Sequence, residues 1–417
     1  MSKAKFLKLL QQELDRIDGV KTAKRNERVI SGFMKDPSPK GIINGKEVLI
    51  FNSNDYLGLR FHPELLKAEH EASEEFGTGP GAVRFISGTL LPHKQLEEKL
   101  AKFHNRDAAI IFSSAFATNL ATLFSLIVGQ SKDSVVDNDV LVISDALNHR
   151  SIIDGIRIAN HPKEAKAIFE HMNPADLEKI LKENVGKFKR ALVVTDGVFS
   201  MLGEIQKLKE LKDIIEQYDK KYERGILLVV DDAHGIGALG NHGTGSEEIE
   251  GVKADVLIGT LGKGLGSDGG YVVADQVIID YLRESAATYI YSNSISPGTA
   301  AAGSAAIELL SKKQGKDLID NLKANIVFFK KLVKDNDLKM AADSKHPIQP
   351  LLIGSPEKTK ALVSFLLEKN ILVTSINYPV VAKGADEIRI QLSATHTNED
   401  IKELIDALLE ARKSIEF

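Results

Sequence analysis

The chain has no cysteine among its 417 residues. That excludes disulfides, zinc sites built on thiolates and a cysteine nucleophile. No apolar run approaches the roughly 18 residues that a membrane-spanning helix needs. Charge of one sign is not in excess either. The 54 Lys and Arg stand against 58 Asp and Glu, a formal net charge of −4. Such a balance gives no electrostatic footprint for nucleic acid or for an anionic membrane. The N-terminal stretch "MSKAKFLKLLQQELDRIDGV" reads as an amphipathic surface helix. It lacks the apolar core and small-residue cleavage site of a signal peptide. These absences lead us to expect a cytoplasmic protein with no membrane, nucleic-acid or metal partner.

What is present is ordinary for a globular protein: 43% apolar and 27% charged residues. The length suffices to bury one large core or two. From about residue 107 to 292, apolar runs such as "AAIIFSS", "VLVISD", "RALVVTDG", "GILLVVDD" and "ADVLIGTLG" alternate with amphipathic segments such as "LKELKDIIEQYDKKY". Strands alternating with helices predict an α/β domain with a mostly parallel sheet covered on both faces. The alanine-rich "SPGTAAAGSAAIELLSKK", from about residue 296, marks a change. Beyond it the pattern predicts a smaller α+β unit.

One stretch, "DDAHGIGALG" (231–240), contains G-x-G-x-x-G after an apolar run. A dinucleotide fingerprint must also open a helix, so that the pyrophosphate meets the helix N-terminus. Here "NHGTGSEEIEG" follows, rich in turn formers and without helical spacing, so that reading is disfavoured. In an open parallel sheet, ligands collect at the carboxyl ends of the strands. Those ends carry Ser113-Ser114, Ser144-Asp145, Thr195-Asp196 with Ser200, Asp231-Asp232 with His234, and Thr260 with Lys263. Helix capping explains Ser144 and Thr195. It does not explain Lys263, a cation among the glycines of "GTLGKGLGSDGG". The spacing is not that of a P-loop. A lysine that loses its proton near neutral pH can form a Schiff base with an aldehyde cofactor. Pyridoxal phosphate (PLP) needs such a lysine, an acid for its pyridine nitrogen and amide donors for its phosphate. Asp231 can be that acid, and His234 can reach the other edge of the ring.

On nine motifs in the family's order, the chain resembles an α-oxoamine synthase, a fold-type I PLP enzyme. They are "FNSNDYLGL", "GAVRFISGTLLPHKQLE", "FSSAFATN", "SDALNHRSIIDG", "TDGVFSMLGEI", "VDDAHGIGALGNHGTG", "GTLGKGLG", "YIYSNSISP" and "YPVVAKGADEIRIQLSATHT". The resemblance implies roles residue by residue. Lys263 is similar to the Schiff-base lysine, Asp231 to the pyridinium partner and His234 to the partner of the cofactor's phenolic oxygen. His149 is similar to the imidazole stacked on the ring. Ala115 and Phe116 would give backbone N–H groups to the phosphate, and Ser200 and Thr260 further cofactor contacts. Ser292 and Asn293 match a stretch that reaches the phosphate from a second subunit of a homodimer. Arg389 resembles the arginine that takes the amino-acid carboxylate, and Asn54 a substrate-side asparagine near the interface. The resemblance also implies a division into an N-terminal helix and interface segment (1–60), a large PLP-binding domain (61–298) and a C-terminal α+β domain (299–417).

The implied activity is condensation of an amino acid with an acyl-CoA. The wording of "SDALNHRSIIDG", "GTLGKGLG" and "QLSATHT" is nearest to members that join glycine to acetyl-CoA, or run the reverse reaction in threonine breakdown, the 2-amino-3-ketobutyrate CoA ligases. Members using alanine and a pimeloyl thioester (8-amino-7-oxononanoate synthases, of biotin synthesis) are the alternative. Serine palmitoyltransferases and 5-aminolevulinate synthases come after. The chain departs from the ligases at "GTGPGA", with Pro80 and Ala82, and in "GLGSDGGY", one residue shorter after Lys263. Both lie near the acyl-donor side. Some relatives are non-catalytic subunits without the lysine, but Lys263, Asp231 and His149 are all here.

Overall fold

The computed structural model describes residues 2–19, 23–25, 27–34, 38–131, 133–378, 380–415 and 417. The amphipathic N-terminal segment is a helix, α1 (Ser2–Gly19). Its Phe6, Leu9 and Leu10 are exposed. Met1 and Val20 of the expected helix, and Pro379 of the last motif, lie outside the described residues. Three short antiparallel strands follow: β1 (Gly32–Phe33), β2 (Lys40–Ile43) and β3 (Lys46–Ile50). Helices α2 (Pro63–Phe76) and α3 (Leu91–Phe103) lead into the main sheet.

That sheet takes the apolar runs in chain order. They form β4 (Ala108–Phe112), β5 (Val140–Asp145), β6 (Lys166–Phe169) and β7 (Arg190–Asp196). A small hairpin comes next, β8 (Val198–Phe199) with β9 (Glu204–Ile205). Then come β10 (Ile226–Asp231), β11 (Val256–Thr260) and β12 (Gly270–Ala274). The seven-stranded order is β4-β12-β11-β10-β7-β5-β6. Only β12 runs against its neighbours, β11 and β4. The continuous apolar runs follow from burial on both faces. In β10, Leu228 and Val230 join one core while Val229 joins the other, all fully buried. Each such side chain contributes about 1.5–3 kcal/mol on burial.

Two helices begin at the carboxyl edge of this sheet. Helix α4 (Ala115–Val128) starts just past β4, capped by Ser114, whose Oγ accepts from the Ala117 amide. Helix α5 (Arg150–Ile158) starts past β5, capped by the His149 ring. Strand β12 runs so close beneath α4 that a Cβ on Gly270 would lie 2.4 Å from the Ala115 nitrogen. The glycines of "DDAHGIGALG" have a packing role. Gly237, at φ +77°, meets Gly264 of the lysine loop so closely that a Cβ on either would come within about 3 Å of the other's backbone.

The alanine-rich segment is the helix Pro297–Leu310, packed on α2 and α3. Beyond it, β13 (Ile348–Leu352) pairs antiparallel with a later strand, β16 (Glu387–Gln391). Between them come β14 (Ile371–Leu372) and β15 (Thr374–Ile376). Strand β15 flanks β16 on its other side, and β14 pairs with β3 instead. The chain leaving β3 is held by this unit: the Phe51 amide donates to Leu372 O, and the Gln391 amide donates to Phe51 O. Asn54 and Tyr56 are thereby delivered beside β16. The expected α/β architecture with a smaller α+β unit is what the structure has. No helix among the described residues is long and apolar enough to cross a membrane.

Candidate active site

A cleft with about 370 Å³ of empty space, open solvent included, lies at the carboxyl edge of the sheet. Ala115, Phe116, His149, Ser200, Asp231, His234 and Lys263 line it, together with Ser151, Asp196, Val198 and Ala233. Segments far apart in sequence thus meet because their strands are neighbours. Among the described residues, no group of three or more His, Cys, Asp or Glu could hold a metal ion.

At one end lies the start of α4. The first amides of a helix have no carbonyl within it to bond. The Ala117 amide is taken by Ser114 Oγ and the Thr118 amide by Ser114 O. The Ala115 and Phe116 amides remain, at the positive end of the helix, on the cavity wall.

Asp231 ends β10 and is buried. Its Oδ2 accepts from Asn119 Nδ2 at 2.5 Å, and its Oδ1 from the Ala233 amide at 3.0 Å. His149 is held by its backbone, whose amide donates to Asp196 Oδ2 at 2.8 Å. Its Nδ1 lies 2.7 Å from Ser151 Oγ. Burial lowers the His149 pKa, with Lys263 adding to the effect and Asp231 opposing it. Burial raises the Asp196 carboxyl well above its usual range, and the nearby Asp231 adds to this.

Lys263 sits in the loop after β11. Desolvation in the cleft pushes its ammonium down to about 8, against the pull of Asp231 and Asp196. A useful fraction of the amine is therefore neutral near neutral pH, as a base or nucleophile requires.

A second chain of contacts comes from the C-terminal unit. His234 Nδ1 lies 2.7 Å from the Tyr56 hydroxyl, which is 3.4 Å from Asn54 Oδ1. Gln391 Nε2 also donates to that oxygen. Burial drives the His234 pKa well below its usual value, and Lys263 adds to this. His346 Nδ1 accepts from the Ile348 amide, so its Nε2 donates to His234 O at 2.8 Å. Arg389 donates from Nη1 to Ser200 O at 2.9 Å, while its Nε is buried with no partner among the described residues. An unpaired buried guanidinium N–H is a donor awaiting an acceptor.

Some of the expected site residues lie outside the cavity. Thr260 Oγ1 donates to Gly269 O and accepts from the Gly262 amide, so its hydroxyl shapes the lysine loop. Ser292 and Asn293 are exposed and away from the cavity wall. Asn54 and Arg389 are not among its lining residues; Asn54 is bonded to Gln391 of β16, the strand that also carries Arg389. Sequence reading did not single out Asn119, Ser151, Tyr56 or His346. The first three lie inside quoted motifs, but nothing in the strings marks them apart. His346, before β13, carries no sequence signal.

The residues present fit PLP. An anion would meet the two amides of α4 that have no partner among the described residues, Asp231 would hold the pyridine nitrogen, and Lys263 would be the amine for its aldehyde. Asn119 Oδ1, buried with no partner among the described residues, marks a polar wall not fully satisfied by them.

Comparison with known proteins agrees. The family model "Aminotransferase class I and II" matches residues 46–408. The chain is 37% identical to 8-amino-7-oxononanoate synthase 1 of Bacillus velezensis, over 99% of this chain and 100% of that one. It is 38% identical to the mitochondrial 2-amino-3-ketobutyrate coenzyme A ligase of Bos taurus, over 96% of this chain and 91% of that one. Among solved structures it is similar to serine palmitoyltransferase from S. paucimobilis with bound PLP and myriocin. There the TM-score is 0.85 at 26% identity, covering 98% of this chain and 97% of that one.

Proposed function

Because the chain belongs to the class I and II aminotransferase family and, within it, to the PLP-dependent α-oxoamine synthases, we propose that it condenses alanine with a pimeloyl thioester to 8-amino-7-oxononanoate. The observation that carries the chemistry is Lys263, an amine held at about 8 opposite Asp231 and His149 in one cavity. The choice of substrates is supported by relatives named 8-amino-7-oxononanoate synthase, at 37–39% identity over about nine-tenths or more of the chain. These names outweigh the motif wording that favours glycine and acetyl-CoA. That second reading keeps the support of the Bos taurus relative.

Arg389 takes the amino-acid carboxylate, with its free Nε as one donor of a charge-assisted fork. PLP, when bound, supplies the electron sink that stabilises charge left at the amino acid's Cα. Lys263 Nζ removes the Cα proton, and Asp231 keeps the pyridine nitrogen protonated. Cα then bonds to the thioester carbonyl carbon, the C–S bond breaks and the thiol leaves. Alanine and pimeloyl together bring ten carbons and the product has nine, so the alanine carboxylate departs as carbon dioxide and Cα takes up a proton in its place. His149 and His234, whose pKa values desolvation lowers toward the neutral ring, shape the cavity without adding charge.

We further propose a homodimer. Phe85, Ile86 and Tyr291 are large apolar side chains left exposed around the contact between segment Arg84–Gly88 and helix Ala287–Ile290. Such a patch supports an interface there. It adjoins Ser292 and Asn293, which a second copy would bring to this chain's cleft. The activity is tested by incubating the PLP-loaded protein with alanine and pimeloyl-CoA. The expected result is thiol release with a product of the mass of 8-amino-7-oxononanoate. Absence of that product, with glycine and acetyl-CoA active, would establish the second reading.

A further inference from the structure

His149 faces the cavity, and its Nε2 has no hydrogen-bond partner among the described residues. Which ring nitrogen carries the proton decides whether that face donates or accepts. The buried contacts behind the ring answer this. A carboxylate offers only lone pairs. Asp231 Oδ2 therefore fixes the Asn119 amide with its nitrogen toward it, at 2.5 Å. The same Nδ2 lies 2.9 Å from Ser151 Oγ. Its two protons go one to each neighbour, so Ser151 Oγ accepts from Asn119. The Ser151 hydroxyl proton must then go elsewhere, and His149 Nδ1 lies 2.7 Å away. The Ser151 backbone amide points at the same Nδ1, at 3.3 Å. Two donors converge on that nitrogen, so it carries a lone pair and the proton is on Nε2. Asn119 and Ser151 are almost completely buried, which keeps water from scrambling the chain.

We propose that Asn119 and Ser151 are positioning residues that lock His149 in the Nε2–H tautomer, so that it presents a hydrogen-bond donor to the carbonyl oxygen of the acyl donor. The last part rests on the condensation reading above. The direction of the chain does not. It runs from the acid at the floor of the cavity, through two neutral side chains on α4 and α5, to a donor at its wall. Burial, which lowers the His149 pKa, favours the neutral ring on which the tautomer matters.

The test uses the PLP-loaded protein with ¹⁵N-labelled histidine, His149 being assigned by its loss in His149→Gln. Nitrogen NMR should show a bare Nδ1 and a protonated Nε2. Ser151→Ala should give mixed tautomers, and Ser151→Thr should restore the single form. In kinetics, Ser151→Ala should lower kcat for thiol release by about 10- to 100-fold, no more than deletion of an oxyanion donor costs. It should leave the KM for the amino acid unchanged. Exchange of the amino acid's Cα proton with D₂O, without acyl donor, should continue at the wild-type rate. A protonated Nδ1 in the wild type, or a tautomer unmoved by Ser151→Ala, overturns the proposal. Failure of the condensation reading looks different: no thiol release or Cα exchange in the wild type, with the tautomer as stated.

Discussion

Half-buried Lys263 and fully buried Glu387 are two ionisable groups displaced in opposite senses, one toward catalysis and one against stability. Desolvation holds the Lys263 ammonium at about 8. Exchange of the Cα proton of bound alanine should therefore rise with pH and level off above about 8, and Lys263→Ala should abolish it. Deuterium incorporation followed by NMR reads this directly, and a flat profile would remove Lys263 as the base. Glu387 is fully buried on β16, with neither carboxylate oxygen partnered among the described residues. Burial raises its pKa to about 8, Glu204 adds to this, and Arg389 opposes it. Its folded-state pKa lies above the ordinary value of 4.5, so the native state binds the extra proton. Stability is then lost as pH rises from about 4.5 through 8. Glu387→Gln, which cannot ionise, should melt close to the wild type at pH 5 and above it at pH 8.5. Equal melting temperatures at pH 8.5 would show that Glu387 finds a partner when charged.

At the scale of elements, the hairpin β8–β9 ties the two units together at the site. Its Glu204 meets His171 Nε2 at 3.1 Å, and His171 Nδ1 meets the buried Asp145 at 3.0 Å. Burial opposes charge on His171, but the two carboxylates outweigh it and hold the pKa at about 9. The stabilisation is full below about 6.5 and fades as pH rises through 9. The hairpin turn carries Ser200, whose carbonyl holds Arg389. His171→Gln should therefore raise the KM for alanine roughly 5- to 30-fold, the effect of losing about 1–2 kcal/mol of charged hydrogen bonding, with a smaller change in kcat. The deficit against wild type should shrink above pH 9. A deficit independent of pH would point to lost packing against Phe199 instead.

Elements were also where sequence was most legible. The apolar runs "GILLVVDD" and "ADVLIGTLG" became β10 and β11, because burial on both faces leaves a contiguous apolar signature. Asp231 and Lys263 stood out because charge at a strand end is unusual. The antiparallel course of β12 was not legible, since strand direction leaves no mark on composition. Nor was the chain from Asp231 through Asn119 to His149. Its first bond joins residues 112 positions apart, and neutral Asn and Ser carry no signal until the sheet brings them together. Thr260 shows the reverse: a hydroxyl that looks free in a motif is occupied by Gly269 O once the loop closes.

For the whole molecule, the dimer and the substrates are the open tests. If Ser292 and Asn293 of the partner subunit complete each cleft, Lys263→Ala and Asn293→Asp should each be inactive alone. Co-folded in equal amounts, they should recover roughly a quarter of wild-type activity. Half of the dimers are then mixed, and each mixed dimer has one intact site of two. No recovery from a proven mixed dimer would mean that each chain builds its own site. The account as a whole turns on which pair of substrates the cavity joins. The most direct measurement is kcat/KM for thiol release, crossing alanine, glycine and serine with pimeloyl, acetyl, succinyl and palmitoyl thioesters. Single methylene groups discriminate by only about 10- to 200-fold, so weak activity with neighbours is expected. The account predicts the highest value for alanine with the pimeloyl thioester. A highest value for glycine with acetyl-CoA would contradict it.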